Sequence, residues 1–357
     1  TARLNGNRET TNYGGDNFDA DPELSLTASI SWELDLWGNL RWARDHSTAG
    51  FLASVENCRA VKMGLVAQVA QSYFELMALD NELAIVRRTL EARREGVRLA
   101  EIRFKGGLTS EIVFQQAKVE LAKTATMVPD LERRISLKES EIALLTGDFP
   151  YAVNRNVLPE EIQLPDALPL GLPSTLLERR PDIRKAEREL MAAHAEVGLA
   201  YTNMFPRLAL TATLGAESET LRDLLKSPYS YLAGNLLSPL FAMGKNRAAL
   251  KAKRAAYEGA VAEYEKTVLT AFKETHDAII NFNKIKDIYE SRRQLAEASR
   301  TAVELAQLQY INGVIGYLDL LDAQRNYFDA QVSLSNAVCN KQLMIINLYK
   351  ALGGGWK

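Results

Sequence analysis

The chain has 357 residues, with 43 basic against 45 acidic side chains and a net charge of −2. That length suffices for one large core or two conventional domains, and the near-neutral balance gives no case for a nucleic-acid partner. No run approaches about 18 consecutive apolar residues, so no transmembrane helix is expected.

Period-two alternation opens the chain. Leu24, Leu26, Ala28, Ile30, Trp32, Leu34 and Leu36 take one face and Glu23, Ser25, Thr27, Ser29, Ser31, Glu33 and Asp35 the other, which predicts a strand. At about 13 residues it exceeds the usual strand of roughly 5–6 and suits a tilted bilayer crossing, which takes about 9–11. Asn12 to Asn17 read as a turn-rich loop, with Thr1 to Thr10 as the partner strand.

From Ala43 to Lys105 the chain then runs without a proline. One helix of about 60 residues would reach roughly 90 Å at the helical rise, about three times the hydrocarbon thickness of a membrane. A heptad series, Val69, Leu76, Leu83, Leu90, Val97 and Phe104, marks it; a second, Leu65, Leu79, Val86 and Ala100, is broken by Ser72 and Arg93. Sustained heptads predict a helix packed lengthwise against others. Lys105-Gly106-Gly107 turns the chain, and a return helix runs from Ser110 to Leu145, ended by Gly147. Pro150, Pro159, Pro165, Pro169 and Pro173 make a linker. Pro181 opens a helix running to Asn203, followed by alternating segments at Leu208–Leu214 and Leu232–Leu240.

The remainder repeats the first half at an offset of 206 residues. Gly38 falls on Gly244, Phe104 on Tyr310, Gly107 on Gly313, Ala117 on Ala323 and Gly147 on Gly353, with no insertion between. Each repeat is therefore a strand hairpin followed by a long helical hairpin. A return helix of about 36 residues climbs only half the height of the long helix. The Pro181–Asn203 helix, stacked above the Ser110–Leu145 helix, makes up the difference in the first repeat. The last helix, Tyr317–Leu352, then has nothing above it, so a further helix before Thr1 is expected. The sheet is either a half-buried antiparallel sheet on a helical core or a membrane span. Four strands cannot close a barrel, the smallest having about eight, so if these strands span a membrane, several chains must close it together.

No catalytic constellation is visible. His46, His194 and His276 stand singly, without metal-ligand spacing, and Gly353-Gly354-Gly355 follows a helix where a phosphate loop would precede one. No cofactor or metal is expected. Cys58 and Cys339 lie about 35 Å apart in height if both helices hold their rise, so they are expected unpaired. At the second turn, Asp319 and Asp322 are neighbours on one helix face. They are either favourable first-turn carboxylates or, repeated around a ring of subunits, an acidic constriction that favours cations.

Three motifs resemble one family. Glu33-Leu34-Asp35-Leu36-Trp37-Gly38-Asn39-Leu40-Arg41, Leu176-Leu177-Glu178-Arg179-Arg180-Pro181-Asp182-Ile183 and Asn347-Leu348-Tyr349-Lys350-Ala351-Leu352-Gly353-Gly354-Gly355-Trp356 are similar to TolC-type outer-membrane efflux channels of resistance-nodulation-division pumps. The match departs at the start, where the family's lipidated cysteine and first helices would precede Thr1. The resemblance implies a membrane β-barrel joined to a long α-helical barrel, with two repeats of β-hairpin and helical hairpin per chain. Four strands per protomer would be closed by a homotrimer in the outer membrane of a Gram-negative bacterium. The layout is strand hairpin 1–42, helical hairpin 43–146, equatorial linker 147–175, upper return helix 176–205, strand hairpin 206–243, helical hairpin 244–352 and tail 353–357.

The implied function is a passive exit duct for drugs or other small molecules, working with a periplasmic adaptor, an inner-membrane pump and outer-membrane lipid. The resemblance assigns the pore gate to Leu318 as an apolar ring and to Asp319 and Asp322 as acidic rings; spacing adds Arg325, one turn beyond Asp322 or Leu321, as an ion-pairing tether. It places adaptor contacts at the tips, Gly106, Gly107, Leu108, Thr109 and Ser110 with Gly313, Val314, Ile315 and Gly316. Val113 and Gln116 occupy the positions of Asp319 and Asp322 in the first repeat, so the two turns are expected to be unequal. The alternatives are a soluble long-helix coiled-coil scaffold and a periplasmic adaptor protein; a substrate-processing enzyme ranks behind both.

Overall fold

The computed structural model describes residues 2–11, 19–155, 178–218, 222–223, 226, 228–238 and 242–354. In chain order they form β1 (Ala2–Thr11), β2 (Asp19–Leu34), α1 (Asn39–Lys105), α2 (Glu111–Thr146), α3 (Pro181–Thr202), β3 (Arg207–Ser218), β4 (Pro228–Leu237), α4 (Met243–Ile311) and α5 (Tyr317–Ala351). The expected loop at Asn12–Asn17, and the linker from residue 156 to 177, lie outside the described residues. The chain divides into two compact units, Thr1–Ser54 with Lys185–Glu265 and Val55–Arg184 with Lys266–Lys357.

The first unit carries one antiparallel sheet in the order β1-β2-β3-β4. Its register places apolar residues beside apolar ones: Ala28 faces Leu214, Ile30 faces Ala212 and Trp32 faces Leu210. That face is the open one. Ile30 is 76% exposed and Trp32 63%, whereas Ser25, Thr27 and Ser29 on the other face are half-buried. Ser31 and Thr211 join their hydroxyls across the polar face at 3.2 Å. A soluble sheet on a helical core turns its apolar side inward. Apolar out and polar in is the arrangement of a strand with lipid outside.

Both long helices leave the sheet, but they begin differently. Gly38 takes a positive φ of 80°. The Asp35 carboxylate then accepts the backbone N–H groups of Leu40 at 2.9 Å and Arg41 at 3.1 Å, capping α1 four residues earlier than the proline-free run predicted. Gly244, its counterpart by offset, is already helical in α4. The glycines that end the other helices do correspond: Gly107 and Gly313, and Gly147 and Gly353, all adopt positive φ.

The second unit is built on heptads. Leu76, Leu79, Leu83 and Val86 of α1 pack with Leu131, Ile135 and Ile142 of α2. Ala278 and Phe282 of α4 pack with Leu348 and Ala351 of α5. One expectation is overturned: α3 begins against the end of α5, not of α2. Arg180, buried just ahead of α3, donates to the Ala351 carbonyl at 3.2 Å and pairs with Glu274 of α4 at 2.6 Å. At Gly353 a Cβ would stand 3.1 Å from the Arg179 backbone. A bare glycine and an arginine that satisfies a helix-end carbonyl seat one helix end on the other. Thus two of the motifs that carry the family resemblance meet in space.

Among the described residues no helix is long and apolar enough to cross a membrane. Cys58 and Cys339 are both free thiols.

Candidate functional site

The two helical turns have one geometry. In the first, the N–H of Leu108 reaches the Arg103 carbonyl at 2.8 Å with Gly107 at φ 71°; in the second, Val314 reaches the Gln309 carbonyl at 2.8 Å with Gly313 at φ 74°. Such a bond back across the last turn satisfies an orphan helix carbonyl and requires the left-handed glycine. Leu108 and Val314 project from the tips and are exposed. Gly106, Ser110 and Gly316 are exposed as well, and Thr109 and Ile315 half-buried. The tip residues named from sequence therefore stand together on each turn.

The acidic pair lies just beyond the second turn. Leu320 and Leu321 of α5 are buried, which fixes the helix face and leaves Leu318, Asp319 and Asp322 exposed. Asp319 accepts the N–H of Gly316 at 3.0 Å, so it does cap its own helix. Among the described residues, Asp322 accepts only a 3.2 Å contact from the Asn326 amide one turn on. Both carboxylates border an open hollow of about 530 Å³ shared with Ala298, Ser299 and Ala302 of α4. Capping occupies one oxygen of Asp319; the acidic field remains on the surface.

Arg325 does not pair with Asp322. Its guanidinium binds Glu120 of α2, a residue 5% exposed. The other Glu120 oxygen accepts from Arg93 of α1 at 3.0 Å, and Lys123 joins the first at 3.2 Å. The hydrogen bond from Arg325, reinforced by Lys123 and by the charges of Arg93 and Arg325, holds the Glu120 carboxyl below its usual range despite desolvation. Nearer the turn, Arg103 of α1 donates to the Tyr310 carbonyl at 3.3 Å and lies 4.6 Å over that ring. Two latches thus tie the first helical hairpin to the second. Beside them, burial pushes the Tyr317 phenol above its ordinary range.

Sequence reasoning missed Glu120, Arg93 and Arg103. For the first two a signal was present, since Arg93 and Ser72 are the breaks in the second heptad series. Both are buried, and both hold carboxylates of α2, Ser72 reaching Glu141 at 3.0 Å. A charge on a core seam requires a buried counter-charge.

The arrangement is one of charge pairing between helices. Among the described residues no group of three or more histidine, cysteine or acidic side chains could hold a metal ion. What it offers is an acidic rim on one hairpin, anchored to the other by ion pairs.

The chain matches the outer membrane efflux protein family over residues 1–148 and 172–354. It is 35% identical to the outer membrane protein OprJ of Pseudomonas aeruginosa over 91% of this chain and 68% of that protein. It is 33% identical to the solvent efflux pump outer membrane protein SrpC of Pseudomonas putida over 94% of this chain and 72% of that one. The solved structure of the outer-membrane channel OprN superposes with a TM-score of 0.90 at 29% identity, covering 100% of this chain and 81% of that one. With most of its length matched and the apolar sheet face, paired helical hairpins and glycine turns in place, the chain belongs to the outer membrane efflux protein family.

Proposed function

We propose that this outer-membrane efflux channel works as a homotrimer whose pore is gated by Leu318, Asp319 and Asp322, with Arg325 as the tether. The observation that carries this reading is the exposed acidic pair on a helix face fixed by buried Leu320 and Leu321. Around a three-fold axis each carboxylate is repeated, and an acidic ring at a constriction favours cations and resists anions. The four-stranded sheet supports the assembly, because its β1 and β4 edges have no strand partner among the described residues. Open edges in lipid leave backbone groups unsatisfied, so copies must pair them. The tips at Gly106–Ser110 and Gly313–Gly316, with Leu108 and Val314 projecting, meet a periplasmic adaptor. An inner-membrane pump supplies the energy for cargo that passes by diffusion. Asp319→Ala with Asp322→Ala should raise single-channel conductance in a planar bilayer; unchanged conductance and ion preference would remove the gate from these residues.

A further inference from the structure

We propose that Arg247, Lys251 and Arg254 form a basic patch that attracts anionic phospholipid headgroups on the periplasmic side of the membrane segment. This rests on the sheet being the part that sits in lipid and goes beyond it by naming a headgroup class and the residues that hold it.

Helix starts favour acids, because the macrodipole is positive there. The starts of α2, α3 and α5 obey, with Glu111, Asp182 and Asp319. The two helices that leave the sheet do not: neither α1 nor α4 has an acid in its first turn. In α1 the bases are neutralised locally, Arg41 by Asp35 at 3.2 Å and Arg44 by Asp45 at 3.0 Å. In α4 that compensation is gone. By the offset of 206, Asp35 becomes Phe241, Asp45 becomes Lys251 and Asn39 becomes Lys245, while Arg41 remains arginine as Arg247. Lys245, Arg247, Lys251, Lys253 and Arg254 then precede the first acid of the helix, Glu258.

The inward side of this stretch is accounted for. Asn246 donates to the Asn203 carbonyl at 3.0 Å, Leu250 is buried, and Lys253 pairs with Glu196 of α3 at 2.7 Å. Arg247, Lys251 and Arg254 recur at helical spacing on another flank. All three are exposed and have no ion pair among the described residues. Like charges one turn apart repel, and here they also oppose the dipole. A counter-charge from outside the chain would relieve both.

The location supplies it. Exposed Leu36, Trp37, Leu40 and Met243 rim the strand-to-helix junctions, and Trp37 is held by its indole N–H to the Pro206 carbonyl at 2.8 Å. Amphipathic aromatics of this kind sit at membrane interfaces. At the helical rise, Arg247 lies about 6 Å and Arg254 about 17 Å from the start of α4. A headgroup layer is about 5–8 Å deep, so Arg247 falls within it, Lys251 at about 12 Å reaches back to it with its long side chain, and Arg254 adds to the positive field just beneath. An apolar sheet face followed in the chain by a basic stripe matches a lipid, which has both parts, better than a free phosphate, which has one.

The test uses the full chain in detergent, with palmitoyl-oleoyl phosphatidylglycerol or phosphatidylcholine added. Native mass spectrometry counts the lipid retained, and thermal unfolding follows stabilisation. Wild type should retain phosphatidylglycerol at least threefold over phosphatidylcholine, less so at high salt. Arg247→Gln with Lys251→Gln and Arg254→Gln should abolish the preference, and Arg247→Lys with Lys251→Arg and Arg254→Lys should keep it. Arg88→Gln with Arg292→Gln, exposed bases far along the helices, should change nothing. Equal retention of both lipids by wild type, or an undiminished preference in the glutamine variant, overturns the proposal. So does full competition by glycerol phosphate at the lipid's concentration, which points to a free anion. An altered anion-to-cation permeability with unaltered lipid retention also overturns it, placing the stripe in the lumen. Insertion into phosphatidylcholine vesicles is scored separately: a chain that inserts but shows no headgroup preference defeats this proposal alone, and one that fails to insert defeats the membrane reading beneath it.

Discussion

The two helical hairpins have nearly the same lengths, α1 and α4 at 67 and 69 residues and α2 and α5 at 36 and 35. They turn on the same bond with the same left-handed glycine. Their chemistry differs. The first tip carries Val113 and Gln116 where the second carries Asp319 and Asp322, and the first hairpin holds the buried acid, Glu120, that the second hairpin's Arg325 reaches. The difference teaches that a duplicated scaffold can hold length and turn geometry constant while one copy carries the exposed carboxylates and the other the buried acid that anchors it.

The strongest way to break that division is at the anchor. Glu120→Ala leaves Arg93, itself 8% exposed, without its buried partner. Removing one member of such a pair costs about 3–5 kcal/mol, so chemical denaturation should show a large loss together with a raised resting conductance. Stability within about 1 kcal/mol of wild type would show that the network is not the anchor.

The turns provide a test of sameness. Gly107→Ala and Gly313→Ala each force a side chain into left-handed backbone, at about 1–2 kcal/mol. Matched losses in thermal stability are expected; a twofold disparity would mean that the turns are not equivalent.

Arg325→Ala sharpens the contrast between fold and gate. The arginine side chain is 47% exposed, so its removal should cost no more than about 1 kcal/mol in stability while clearly raising conductance. A large stability loss with unchanged conductance would make Arg325 a packing residue.

Acid should act in the same direction. Glu120 titrates below its ordinary range in the folded chain. Its contribution is therefore complete above the ordinary glutamate pKa of about 4.3 and is lost as pH falls through the depressed folded value. Conductance should rise on acidification below about pH 4, and Glu120→Gln should flatten that dependence.

The smallest effect is expected from grafting Val113→Asp with Gln116→Asp onto the first tip. If only the second hairpin lines the constriction, ion preference should move less than in the Asp319→Ala, Asp322→Ala channel. An equal shift would give both tips the same role.

Much of this was legible in residue order, because it depends on local periodicity. Alternation predicts β2, the heptads place Leu76, Leu79, Leu83 and Val86 on one seam, and glycine marks the turns at Gly107 and Gly313. The offset of 206 predicts that both hairpins share one geometry, since equal spacing in sequence becomes equal length in a helix. Even the anchor left a trace, in Arg93 and Ser72 interrupting a core series.

What the order of residues could not decide were pairings between segments far apart in the chain. Helix lengths alone seat the Pro181 helix above the first return helix. Arg180 on the Ala351 carbonyl, with Gly353 against Arg179, seats it on the second. Spacing along α5 offers Arg325 to Asp322, but a neighbouring helix brings up Glu120 and takes it. Rise per residue and pleat are properties of the backbone, so a sequence determines them locally. Which charge meets which depends on how helices pack, and only the folded chain sets that.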